Sequence, residues 1–425
     1  MTLFGVPLGP VVWNGLSGGL PRAALLLAGL FVAQRFGPDD FARYSLALST
    51  FAVLGSLLGS SMTTVASKFI PEFAQGDPER AGTGSVALLA LAATLAVAFG
   101  GILLGLAPWL ATLFELQPPV TGLLRAAALA IVATIVTGGL MGLMVGTARF
   151  RDAALANLAG FAAFVVSIVP LCAALGPAGA LIALGVLNLA AGAVAGWKAR
   201  GYVTKDLAAP QIAMRWRSLV GFLVPILIAA GLVAPVVWLC NTLLARGDDA
   251  LAALARFNAA YTWFAVVSFI PAVLAQVEFV RMSQARARGD AAMLAREFRR
   301  FTVRNAMLML PLTIAGALLA SVLVSVFRLE GANAERSLQL MMAAAFMASL
   351  GNPAGLFLGV IDRVWIASGL NLAWGIITIV VAWALREHGE LGVAGAFLVG
   401  YSIHFVVATS VAHRLVNRPI VRRPL

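Results

Sequence analysis

Arginine is the residue type that could do chemistry in this chain, and it stands where arginine is costly. Arg22 lies inside the apolar run 14–36. A cation at such depth costs at least about 3 kcal/mol unless it reaches water or a partner. It therefore either snorkels to an interface, pairs with a carboxylate, or lines a cavity. Arg43 and Arg256 come next, each a few residues into an uncharged run. A helix N-terminus disfavours a cation, so each needs a reason to be there. Asp39-Asp40 and Asp248-Asp249 offer local salt bridges, and a shared cavity offers the alternative. Arg125 and Arg246, at the edges of two further runs, could join them. The chemistry on offer is oxyanion recognition, because guanidinium forks onto phosphate or carboxylate.

Other chemistries lack their residues. Glu278 is the one acid placed inside a run. The three histidines (His388, His404 and His413) have no acid or cysteine at ligand spacing, and Cys172 and Cys240 each sit in an apolar run as small core residues. No metal site, cofactor site or Ser/His/Asp constellation is expected, and the chain is not expected to be an enzyme. A carrier of organic cations, or one coupled to proton binding, would want a carboxylate in the first or seventh span, and neither has one.

The elements that must position these arginines are membrane helices. Hydrophobic residues make up 61% of the 425 and charged residues 11%, against roughly 25% charged in a soluble domain. Twelve spans are expected, at 14–36, 41–64, 84–107, 122–146, 153–174, 177–197, 218–244, 252–278, 304–327, 336–360, 364–385 and 391–413. The N-terminus lacks a basic start, so its first span is expected to be retained rather than cleaved. Net charge is +12, and its flanking of apolar spans points to the membrane surface, not nucleic acid. Asn157, Asn188, Asn241, Asn258, Asn352 and Asn371 read first as interhelical hydrogen-bonding groups.

The chain contains one stretch twice. Phe41-Ala42-Arg43-Tyr44 opens a run closed by Lys68 and followed by Glu72, Gly76 and Asp77. Displaced by 213 positions, Leu254-Ala255-Arg256-Phe257 opens a run closed by Glu278 and followed by Arg281, Gly289 and Asp290. Ala47/Ala260, Phe51/Phe264, Ala52/Ala265, Val53/Val266 and Ala74/Ala287 also match without a gap. Two parallel six-span repeats follow, residues 1–199 and 218–425, with 200–217 as a cytoplasmic linker. Transporters built from such repeats place their sites between the halves near the midplane.

Lys and Arg set the orientation. With twelve spans, the loops and tail on one side hold 21 of them, including Arg281, Arg286, Arg288, Arg296, Arg299, Arg300 and Arg304 in a 281–304 loop; the other side holds 8. Both termini are therefore expected in the cytoplasm. Pro21, Pro225, Pro235, Pro271, Pro311 and Pro353 fall inside spans, where a kink or moving helix would use them. Small residues at Gly138, Gly142 and Gly146, and at Gly351, Gly355 and Gly359, permit close helix packing.

The segment Phe36-Gly37-Pro38-Asp39-Asp40-Phe41-Ala42-Arg43-Tyr44 and the run ending Lys68-Phe69-Ile70-Pro71-Glu72, set behind an Arg-bearing first helix, resemble a known family. It is the polysaccharide-transporter (Wzx-like, O-antigen flippase) branch of the multidrug/oligosaccharidyl-lipid/polysaccharide exporter superfamily. The resemblance implies a V-shaped pair of six-helix bundles around a central cavity. It implies alternating access that moves an undecaprenyl-diphosphate-linked oligosaccharide across a bacterial inner membrane for surface polysaccharide synthesis. Arg22, Arg43 and Arg256 match the cationic cavity positions of such proteins. It further implies a multi-pass monomer, with a polysaccharide polymerase or ligase as partner. A drug or small-solute antiporter and a scaffold subunit of a polysaccharide synthase are the alternative expectations.

Overall fold

Without water, a spanning backbone must satisfy its own hydrogen bonds, and uncharged runs of this length do so as α-helices. The computed structural model describes residues 2–3, 6–74, 78–116, 120–147, 149–200 and 232–416. The expected 200–217 linker, the Gly76-Asp77 turn and the arginines of the tail beyond 416 lie outside the described residues, Arg200 apart. A short antiparallel pairing, β1 (Thr2–Leu3) with β2 (Val6–Pro7), precedes the helices. The remaining elements are helical.

The chain divides into two compact units, Met1–Arg246 and Gly247–Leu425. The first holds α1 (Leu8–Phe36), α2 (Pro38–Phe51), α3 (Leu57–Ala74), α4 (Pro78–Leu113), α5 (Thr121–Gly146), α6 (Phe150–Leu175), α7 (Ala178–Ala199) and α8 (Val233–Ala245). A π-helical turn, Ala52–Ser56, joins α2 to α3 as one span. The second holds α9 (Ala250–Ala287), α10 (Ala291–Leu318), α11 (Ala320–Ser325), α12 (Ala332–Val360), α13 (Val364–Ala384) and α14 (Gly389–Val416). Among the described residues, eleven helical stretches are long and apolar enough to cross a membrane. α8 is the described part of the expected seventh span, whose residues 218–231 lie outside the description.

The 213-residue displacement runs through the whole fold. α9 covers 250–287 where α2–α3 covers 38–74, and α12 and α14 stand at the positions of α5 and α7. Backbone oddities repeat at the same interval. Glu115 and Arg328 both have φ of 56°, a left-handed conformation uncommon for residues with a side chain. Gly176 and Gly389 both break the chain between helices with φ of 61° and 55° and strongly negative ψ, a region open essentially to glycine. Phe114 and Phe327 are both fully buried and meet Trp238 and Trp263 edge-on. Ala183/Ala396, Ala195/Ala408 and Ala199/Ala412 are buried pairs on α7 and α14.

Each unit is built around one central helix. α5 packs on α3, α4 and α7, and α12 packs on α9, α10 and α14. In the first unit the Gly138, Gly142 and Gly146 rail lets α3 approach so closely that a Cβ at Gly138 would lie 2.3 Å from the Gly59 carbonyl oxygen.

One expectation changes. The 281–304 segment is not a loop: α9 runs to Ala287 and α10 begins at Ala291, so only Arg288, Gly289 and Asp290 form the turn. A phenylalanine and leucine face explains this, because Leu294, Phe298 and Phe301 bury against Met282, Phe357 and Ala408. α8, the described part of the seventh span, groups with the first unit, where Trp238 Nε1 donates to Thr50 Oγ1 at 3.0 Å just before the π-helical turn.

Candidate functional site

Arg22 is positioned by a proline. Pro21 within α1 has no N–H to give to the Ser17 carbonyl, four residues earlier. Asn157 of α6 fills the vacancy: its Nδ2 donates to Ser17 O at 2.9 Å and to Ser17 Oγ at 2.9 Å. This interhelical bond pins α1 to α6 one turn from Arg22. The Arg22 side chain is exposed from its own unit, and its Nη1 donates to Gly18 O at 3.0 Å. No acidic residue precedes Asp39 in the sequence, so α1 carries a cation and no carboxylate.

Arg43 and Arg256 are each engaged within their own unit. Arg43 Nη1 lies 3.2 Å from Asp40 Oδ1, one helical turn earlier on α2. Arg256 Nη1 lies 3.2 Å from Asp249 Oδ2 and 3.1 Å from Glu390 Oε1 on α14. The two arginines therefore repeat in sequence and in having a local aspartate. Arg256 in addition reaches a carboxylate on a second helix, Glu390 of α14.

The remaining candidates lie at helix ends. Arg125 is exposed on the first turns of α5. Arg246 caps α8, and its Nε donates to Leu113 O at 3.1 Å with Glu115 Oε1 3.8 Å away. Arg22, Arg43, Arg125 and Arg246 belong to the first unit and Arg256 to the second.

Sequence reasoning missed two buried carboxylates. Glu390, placed just outside the last span, sits in the first turn of α14 with its side chain 5% exposed. A signal was there to read: Gly389 matches Gly176 at the 213 interval, which sets Glu390 at the position of Pro177, the residue that caps α7. Glu297, assigned to a loop, is buried on α10 and pairs with Arg300 at 3.2 Å. Glu278, the acid placed inside a span, is buried too; it pairs with Arg304 of α10 and lies 3.7 Å from Arg281. All three acids are matched to arginines, which is how a low-dielectric environment retains them. Among the described residues no group of three or more His, Cys, Asp and Glu side chains is placed to hold a metal ion.

Comparison with known proteins fits this architecture. No family model matches the chain. The chain is 26% identical over 261 residues to the EPS I polysaccharide export inner membrane protein EpsE of Ralstonia solanacearum, covering 60% of this chain and 58% of that protein. It spans about three fifths of the length of the curated relatives it matches. An inward-facing multidrug resistance MATE family transporter of the MOP superfamily has a TM-score of 0.79 at 14% identity, over 95% of this chain and 98% of the other. A MOP superfamily transporter from Pyrococcus furiosus Vc1, described by the reverse polarity of its binding pocket, has a TM-score of 0.71 at 14% identity, over 96% and 94%. The fold is that of MOP superfamily transporters, and the sequence resemblance lies with a polysaccharide export protein.

Proposed function

We propose that this chain exports a surface polysaccharide, as its lipid-diphosphate-linked oligosaccharide, across a bacterial inner membrane by alternating access, with both termini cytoplasmic. The observation that carries the proposal is the sign of the charge on α1. Arg22 stands at membrane depth, exposed from its unit, on a helix free of acids. The seventh span has no acid either between residues 218 and 245. A guanidinium there offsets the cost of bringing a diphosphate into low dielectric, and a positively charged drug would be repelled. The polysaccharide export relative and the MOP fold support the same reading.

Arg22 is the first candidate to contact the substrate's anionic group. Arg125 follows, on the same unit. Arg43, Arg246 and Arg256 rank behind it, since each has a carboxylate at salt-bridge distance. The test is Arg22→Gln and Arg22→Lys in the host cell, with membrane protein level and surface polysaccharide both measured. Arg22→Gln is expected to abolish export at unchanged protein level, and Arg22→Lys to retain part of it. Normal export by Arg22→Gln would remove Arg22 from the mechanism. Efflux of organic cations with intact surface polysaccharide on deletion of the gene would overturn the substrate class.

A further inference from the structure

The turn between α9 and α10 ends in a set of arginines that the export reading does not use. We propose that Arg296, Arg299 and Arg300 of α10, with Arg288 of the turn, form a docking surface for the anionic headgroups of the membrane's phospholipids. The first observation is facial. α10 buries Leu294, Phe298 and Phe301 in the core, which turns 296, 299, 300 and 303 to the outside. These positions head a single stripe continued by Val303, Met307, Leu310, Ile314 and Leu318, all exposed.

The second observation is depth. From Val303 to Leu318 the helix rises about 22 Å, and Arg300 to Arg296 lie a further ~4–10 Å along it. The apolar stripe therefore fits the hydrocarbon and the arginines reach the headgroup layer, which adds roughly 5–8 Å per leaflet. By the distribution of Lys and Arg this is the cytoplasmic end.

The third observation is charge. The nearby acids are already committed: Glu278 to Arg304 and Arg281, Asp290 to the backbone N–H of Met293, and Glu297 to Arg300. Among the described residues, Arg288, Arg296 and Arg299 make no ion pair. The surface is thus continuous with the lipid-facing stripe and complementary to phosphate. It also belongs to one repeat only, because Thr83, Val86 and Ala87 stand at the positions of Arg296, Arg299 and Arg300 in the first unit.

The test uses the purified full chain in nanodiscs of equal phosphatidylcholine and phosphatidylglycerol. Lipid retained on release into detergent is counted by native mass spectrometry. Wild type is expected to retain phosphatidylglycerol over phosphatidylcholine by about tenfold or more, since each basic side chain near an anionic surface adds about 1 kcal/mol. The variant R296Q/R299Q/R300Q is expected to lose the preference, and R296K/R299K/R300K to keep it and to serve should the glutamine variant fail to fold. Absence of a preference in wild type would overturn the proposal. So would an undiminished preference in the glutamine variant or its loss in the lysine variant.

Discussion

The Arg256–Glu390 pair can be broken from either side with different results. Glu390 is 5% exposed and Arg256 25%, at 3.1 Å, while the second partner of the arginine, Asp249, is 70% exposed. Glu390→Gln keeps the volume and leaves Arg256 half-buried but still bonded to Asp249. Arg256→Met leaves a buried carboxylate facing Asp249, with only the N-terminus of α14 to stabilise it. Removing one partner of a fully buried pair costs about 3–5 kcal/mol. The partial exposure of Arg256 and the retained aspartate reduce this to about 1–2 kcal/mol for Glu390→Gln and about 2–4 kcal/mol for Arg256→Met. The double variant R256M/E390L removes both charges and is expected to recover most of the loss. Thermal unfolding of purified protein in detergent, followed by tryptophan fluorescence, reads the order directly. At about 2–4 °C per kcal/mol, the single variants separate by several degrees. Equal destabilisation by the two single variants would refute the burial asymmetry, and simple addition in the double variant would refute the pair.

Two further predictions test other levels of the fold. A Cβ at Gly179 would lie 2.3 Å from Leu171 O and one at Gly392 2.1 Å from Leu385 O, so Gly179→Ala and Gly392→Ala should each cost about 1–3 kcal/mol by overpacking; a loss in only one of them, by thermal unfolding, would deny the two turns an equivalent role. Between α12 and α13, the hydrogen bond from Arg286 holds the pKa of Asp362, which lies outside the membrane spans, below the usual carboxylate value. Arg286 also donates to the Val360 carbonyl, so it ties α9 to the end of α12. Because the folded-state pKa is depressed, this contribution is present above the ordinary carboxylate value of about 4 and is lost as pH falls through the lowered folded value. The stability difference between wild type and Asp362→Asn should be constant from about pH 8 to 5 and shrink as pH falls below the ordinary carboxylate value of about 4; a difference that closes between pH 7 and 5 would assign it to another group.

Membrane class, span positions and the duplication were legible because each rests on a pattern longer than any local ambiguity. An uncharged run of spanning length has few structural solutions. The matched Arg43 and Arg256 were legible as a pair, and so were their aspartates, but the winning partner was not. Whether a guanidinium turns to its neighbour in sequence or to another helix is decided by helix packing, which a sequence does not state. The α9–α10 hairpin was read as a loop because arginines broke the apolar run. The helix continues because its other face carries Leu294, Phe298 and Phe301, a periodic signal of the kind that outlasts a change in exposed residues. Glu390 was missed by a single position at a helix start, the least certain part of any boundary.

The two units repeat their backbone and differ in their charges, and that difference has functional content. Turn glycines at 176 and 389, left-handed residues at 115 and 328 and buried phenylalanines at 114 and 327 recur at one interval. At that same interval Arg22 faces Pro235 in sequence, Glu390 faces Pro177, Glu278 faces Val65 and Arg304 faces Leu91. A duplicated scaffold whose halves did the same work would keep charge pairs wherever it keeps turns. Here the first unit carries a membrane-depth cation on a helix without acids, while the second carries three buried carboxylates, each bonded to arginine. The pairs at Glu278 and Glu390 fix geometry and present little net positive charge to a passing anion. Recognition of an anionic substrate is therefore expected to depend on the first unit. Neutralising Arg22 should reduce export far more than neutralising Arg304, whose loss would act through the stability of the second unit and be visible as a lowered unfolding temperature.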